Sequence, residues 1–163
     1  MRAALALATI TALGLAACDE PKPPPMPKGV PVSDIAGGKV LPQIGLIAPF
    51  PSWAPLPPQG TVIGAEVVRP QPPYGAAAEL MLRLDTESYD GFIVAYRAVL
   101  DRRGFSMRAA PEPPNVGIDR PVATYEADET QGGHVVYVTL RGAARQRYAQ
   151  LTFWSPPAPH MPG

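Results

Sequence analysis

The chain has a single cysteine, two histidines, two tryptophans and four phenylalanines in 163 residues. One cysteine cannot close an intramolecular bridge, so the disulfide staples common in small exported domains are excluded. The histidines, His134 beside a Gly-Gly pair and His160 in a proline-rich tail, have no second ligand at helical or hairpin spacing. No metal site is therefore expected. Net charge is absent too: 14 Lys and Arg balance 14 Asp and Glu without a basic cluster, so nucleic acid is not an expected partner. No glycine-rich phosphate loop exists, because Gly132-Gly133 opens a strand rather than a helix. Ser88 and Ser106 lack a nucleophile-elbow context. Glu126, Asp128 and Glu129 read as the solvated rim of a hairpin rather than a carboxylate pair. These absences lead to the expectation of a protein that is not an enzyme and carries no cofactor apart from the lipid described below.

Proline is what the chain has in excess, 23 residues of it, far above ordinary usage. Part of the chain is thus extended, and the remainder, roughly a hundred residues, suffices for one modest core.

Arg2 and the α-amino group precede an apolar run from Ala3 to Ala17. The run is short of the ~20 residues a bilayer span takes and suits the h-region of an export signal. It ends in Leu15-Ala16-Ala17-Cys18, which resembles the lipobox of bacterial lipoproteins. The resemblance covers the signal only. It implies cleavage before Cys18, a diacylglyceryl thioether on its sulfur, and acylation of the new amine. Each buried methylene contributes ~0.8 kcal/mol, so several acyl chains make such an anchor effectively permanent. The protein is then expected on a membrane of the cell envelope, facing the periplasm. In that class an Asp directly after the acylated Cys implies retention in the inner membrane, and Asp19 leans the expectation that way.

Four segments follow: a signal over 1–17, a lipidated proline-rich tether over 18–60, a folded domain over 61–155 and a proline-rich tail over 156–163. Proline lacks an N–H and fixes φ, which excludes helix and central strand from the tether. Its roughly forty residues reach ~130 Å as polyproline II, which would hold the domain away from the bilayer. Val40 to Leu56 nevertheless carries Val40, Leu41, Ile44, Leu46, Ile47, Phe50 and Trp53, more apolar surface than a free linker exposes. Either Phe50 and Trp53 present a ligand to an aromatic groove in a partner, or the segment is a strap packed on its own domain. The strap is the expectation.

Within the domain, Thr61–Arg69 alternates with Ile63, Ala65 and Val67 on one side, and Ala78–Leu84 places Leu80, Leu82 and Leu84 on one face. With the proline-rich turn between them, the two runs predict a hairpin. Tyr89, Phe92, Ile93, Tyr96, Val99 and Leu100 form a helical stripe. Thr86 or Ser88 can cap it, and Gly104 suits its C-terminal end. A short strand at Phe105–Arg108 and a loop over Pro111–Pro121 lead into a three-stranded meander. A two-residue Gly132-Gly133 turn would pair Tyr125 with Leu140 and Ala127 with Val138. The next hairpin would pair Leu140 with Ala149, Val138 with Leu151 and Val136 with Phe153. The expected fold is α+β: a single antiparallel sheet of hairpin, short strand and meander, with one helix packed on one face.

The opposite face would carry Tyr137, Arg141, Tyr148 and Trp154 among Thr139, Gln150 and Thr152. Aromatics mixed with Arg make up many contact surfaces, although Tyr and Thr also simply favour strands and the strap could lie there. The expected function is a lipid-anchored envelope protein whose small non-catalytic domain binds, scaffolds or helps assemble an envelope protein partner. The alternative is a small envelope enzyme or ligand-binding protein acting on cell-wall or lipid material, with its pocket between sheet and strap.

Overall fold

The computed structural model describes residues 28–68, 75, 77–84, 88–111, 121–143 and 146–156. Cys18, the lipobox and the tail beyond Pro156 lie outside the described residues. In chain order the elements are β1 (Val30–Pro31), α1 (Val32–Ala36), a 3-10 turn (Pro42–Ile44), β2 (Thr61–Val68), β3 (Ala77–Arg83), α2 (Tyr89–Arg102), β4 (Phe105–Ala109), β5 (Ala123–Glu129), β6 (Val135–Ala143) and β7 (Gln146–Trp154). The strands form one sheet of seven, in the order β1-β2-β3-β7-β6-β5-β4. Every pairing in it is antiparallel.

The helix forms where its stripe places it. Ser88 is the N-cap and accepts a 3.0 Å bond from the Gly91 N–H, satisfying one of the donors a helix start leaves open. Phe92, Ile93, Tyr96 and Leu100 are buried against the sheet residues Leu80, Leu82, Val136, Val138, Leu151 and Phe153 in one continuous core. Gly104 then turns the chain with φ of 81°, a left-handed conformation that a Cβ would strain. The chain crosses one face of the sheet from β3 to the far edge at β4, and the meander returns to place β7 beside β3.

Three expectations need correction. The Gly132-Gly133 pair is not a two-residue turn. Only Gly133 of the two takes positive φ, 69°, whereas a type I′ turn needs it at both central residues. The loop runs instead from Thr130 to Gly133 and closes with the Glu129 N–H on the His134 carbonyl at 2.9 Å. Tyr125 therefore faces Val138, and Ala127 faces Val136, a slip of two residues. Because side chains alternate with period two, that slip leaves the same residues facing inward. The β6–β7 register is the expected one, Leu140 on Ala149 and Val136 on Phe153. In β2, a register shift between Val62 and Gly64 marks a bulge, which turns Val62 rather than Ile63 into the core.

The strap expected over residues 40–56 does pack on the domain, and the largest correction is that residues 28–39, expected to be tether, belong to the same body. Val30–Pro31 adds a seventh strand to the β2 edge, a place that tolerates proline because an edge leaves N–H groups unpaired. A single helical turn fits between Pro31 and Gly37. From there Val32, Ile35, Leu41, Ile44, Leu46, Phe50 and Ala54 enter the core shared with α2. Phe50 meets Phe153 edge-on at 5.6 Å, and Tyr96 donates a buried 2.7 Å hydrogen bond to the Pro55 carbonyl. Proline excludes regular structure only where it stands; burial of the intervening apolar residues organises the rest. The folded body thus includes residues 28–60. Between Cys18 and Lys28 the chain reaches no more than ~35 Å even at full extension.

Candidate contact face

The core lies wholly on the α2 side, and the strap shares it. What the sheet turns outward follows from its registers. One row runs across six strands as Glu66, Glu79, Thr152, Tyr137, Glu126 and Arg108. Beside it lies Met81, Gln150, Thr139 and Thr124, and beyond that Arg83, Tyr148 and Arg141. On the other side are Ala77, Trp154, Val135, Asp128 and Ser106. Strands ~4.8 Å apart and rows ~7 Å apart make this a surface of roughly 700 Å², near the ~800 Å² a standard protein interface takes from each partner.

All four expected contact residues lie on this face, in two pairs. Tyr137 and Trp154 are diagonal neighbours on adjacent strands, each 37% exposed. Tyr148 stands directly opposite Arg141, about 14 Å along the strands from Tyr137. The arrangement is a flat strip with an aromatic pair at one end and an aromatic–Arg pair at the other, not a converging pocket. Between them polar groups are held in place: Arg141 Nε donates to Gln150 Oε1 at 3.2 Å, and Gln150 Nε2 donates to Glu79 Oε1. Arg108 bridges Glu126 and Asp128 at 2.6 Å each. Partial burial, then the Glu126 and Asp128 carboxylates, push the Tyr137 phenol above its ordinary range, with Arg108 acting the other way. Tyr137 therefore stays a neutral donor at physiological pH.

Phe50 and Trp53 are placed elsewhere. Phe50 is buried in the core, so it cannot serve a partner groove. Trp53 stacks on the His134 ring with centroids 4.5 Å apart, while His134 Nδ1 lies 2.6 Å from Glu129 Oε2. They fasten the strap to the β5–β6 hairpin.

A concavity of about 450 Å³ opens at the other end of the core, lined among others by Tyr89, Asp90, Val122, Tyr125, Leu140 and Arg147. It lies beside the start of α2, not between sheet and strap. Tyr89 reaches over it to donate a 2.8 Å bond to the Arg141 carbonyl.

No protein-family model, curated protein or solved structure matches the chain.

Glu79, Met81 and Arg83 alternate with Leu80, Leu82 and Leu84 along the sequence and so stand on the opposite side of the strand. That they extend the Tyr137 face depends on β3 pairing with β7, a long-range contact no local pattern carries. Among the described residues no three His, Cys, Asp or Glu side chains gather as a metal site, and no helix is long and apolar enough to cross a membrane.

Proposed function

We propose that the chain is a lipid-anchored protein of the cell envelope, acylated at Cys18, whose small non-catalytic domain offers the outward face of its sheet to another envelope protein. The observation that carries this reading is the strip bearing Tyr137, Trp154, Tyr148 and Arg141 on the side of the sheet away from the core, where Tyr137 and Trp154 are each 37% exposed. Aromatic and Arg side chains are those that most often dominate binding energy. Their hydroxyl and guanidinium groups supply directional bonds where a flat aliphatic face would only aggregate. The lipobox Leu15-Ala16-Ala17-Cys18 supports the anchoring half of the reading.

The double variant Tyr137→Ala/Trp154→Ala tests the contact half. Both side chains are exposed beyond a third, so the variant should unfold within about 1 kcal/mol of the parent yet lose the partner captured by crosslinking in intact envelopes. Loss of stability with no change in capture would mean that the face is a structural surface only.

The concavity beside α2 favours a second reading, a small-ligand site. Asp90 and Arg147 set opposite charges around apolar Val122 and Leu140, a composition that suits an amphiphilic ligand. Capture that survives the face variant but fails in Arg147→Ala would favour it.

A further inference from the structure

We propose that the outer surface of the strap around Val40 and Ile47 rests on the lipid bilayer that carries the Cys18 anchor. The proposal rests on the lipid-anchoring reading above and adds the orientation of the body on its membrane.

The apolar pair is built rather than scattered. Leu41 and Leu46 form an isolated antiparallel bridge with hydrogen bonds in both directions, 2.8 and 3.2 Å. Side chains alternate along extended chain, so while Leu41 and Leu46 turn into the core, the flanking Val40 and Ile47 turn out side by side. Val40 is 48% exposed and Ile47 81%. From Val40 to Gly60 the sequence contains no Asp, Glu, Lys or Arg. An exposed run of that kind is not solvated by its own charges. Lys39 directly precedes it, exposed while reaching Asp34 at 2.7 Å, and Lys28, where the described chain enters the body, is exposed too. Such residues favour anionic headgroups.

Chain geometry brings this surface to the membrane. The chain joins the body at β1, the strand on the β2 edge, and the 3-10 turn between Val40 and Ile47 packs on β2 beside that same edge before the strap crosses the sheet. The stretch from Cys18 to Lys28 spans at most ~35 Å, about the diameter of a domain of this size. The body thus stays within its own width of the bilayer, with the strap's edge of the sheet nearest the anchor. Two apolar side chains would not hold a free protein on lipid. Tethering makes the contact intramolecular, so a weak preference is enough. Docking by this edge leaves the Tyr137 face standing clear of the membrane, with β4 farthest from it.

The test uses the full-length protein purified from bacterial envelopes and reconstituted in vesicles of phosphatidylethanolamine and phosphatidylglycerol. Acylation consumes Cys18, so Gln43→Cys, at the exposed tip of the 3-10 turn, supplies one thiol for a polarity-sensitive fluorophore without touching Val40 or Ile47. Ser106→Cys on β4 supplies the distal control. The label at position 43 should shift to the blue and lose most of its emission to spin-labelled lipid, whereas the label at 106 should do neither. Adding Val40→Asp and Ile47→Asp should return the first label to aqueous behaviour while the protein still floats with the vesicles. Labels at 43 and 106 that are equally water-exposed on floating, acylated protein would overturn the docking and leave the anchor standing. An unacylated Cys18 with no flotation would overturn both.

Discussion

Tyr96 joins the helix to the strap, and replacing it with phenylalanine reads the strength of that joint in two independent ways. The ring is fully buried and packs on Phe92 at 5.7 Å; phenylalanine keeps that packing and removes only the hydroxyl. The Pro55 carbonyl, which accepts the 2.7 Å bond, is then left buried without a donor, at a cost of ~1–3 kcal/mol. For a body of this size that corresponds to a fall in Tm of roughly 3–15 °C. The second reading comes from pH. Burial pushes the Tyr96 phenol far above its ordinary value, so the folded state keeps its proton while the unfolded chain releases it near pH ~10. The stability due to this difference is complete below pH ~10 and declines as pH rises, by ~1.4 kcal/mol per unit once the unfolded tyrosine is ionised. Tyr96→Phe has no such proton. Urea unfolding at neutral pH should therefore show the variant less stable, and at pH ~11 the gap should narrow by about 1.4 kcal/mol. All other tyrosines are common to both proteins and cancel. A gap that stays constant between the two pH values would refute the reasoning, because it would mean that Tyr96 ionises alike in both states.

Phe50→Ala removes the ring set edge-on against Phe153 and should cost ~3–5 kcal/mol in urea unfolding; near-parental stability would mean that the strap is not part of the core. Ser88→Ala deletes the cap that Gly91 uses and should cost about 1 kcal/mol, whereas Ser88→Gly should cost only a few tenths, a ranking that thermal melts resolve. Thr124 buries a hydroxyl oxygen with no hydrogen-bond partner among the described residues, so Thr124→Val should be neutral or stabilising by up to ~1 kcal/mol; a clear loss of Tm would show that the hydroxyl is satisfied in solution.

The elements that were legible in the sequence are those whose information is local. The α2 stripe, its Ser88 cap and its Gly104 terminus lie within seventeen residues of one another, and helix periodicity and capping act over that range. The β6–β7 register was readable because a short turn near residues 143–146 limits the slip, and the observed alignment keeps Val136, Val138 and Leu140 on the side of Ala149, Leu151 and Phe153. The β5–β6 register was missed by two because glycine identity does not state which glycine takes positive φ, yet the faces came out right since an even slip preserves parity. That parity made Tyr137, Arg141, Tyr148 and Trp154 recognisable as co-facial.

Composition and pattern by themselves determined which residues seek the interior, where one helix starts and stops, and that no disulfide supports the fold. Tertiary structure alone decided that β7 lies between β6 and β3, which enlarges the outward strip with Glu79, Met81 and Arg83. It also decided where the proline-rich strap seats and that the wall extends back to residue 28. Both depend on contacts between residues far apart in the chain. Proline states locally what the backbone cannot do, while Leu46 and Phe50 are held by what the sheet, folded elsewhere, leaves uncovered for them to bury.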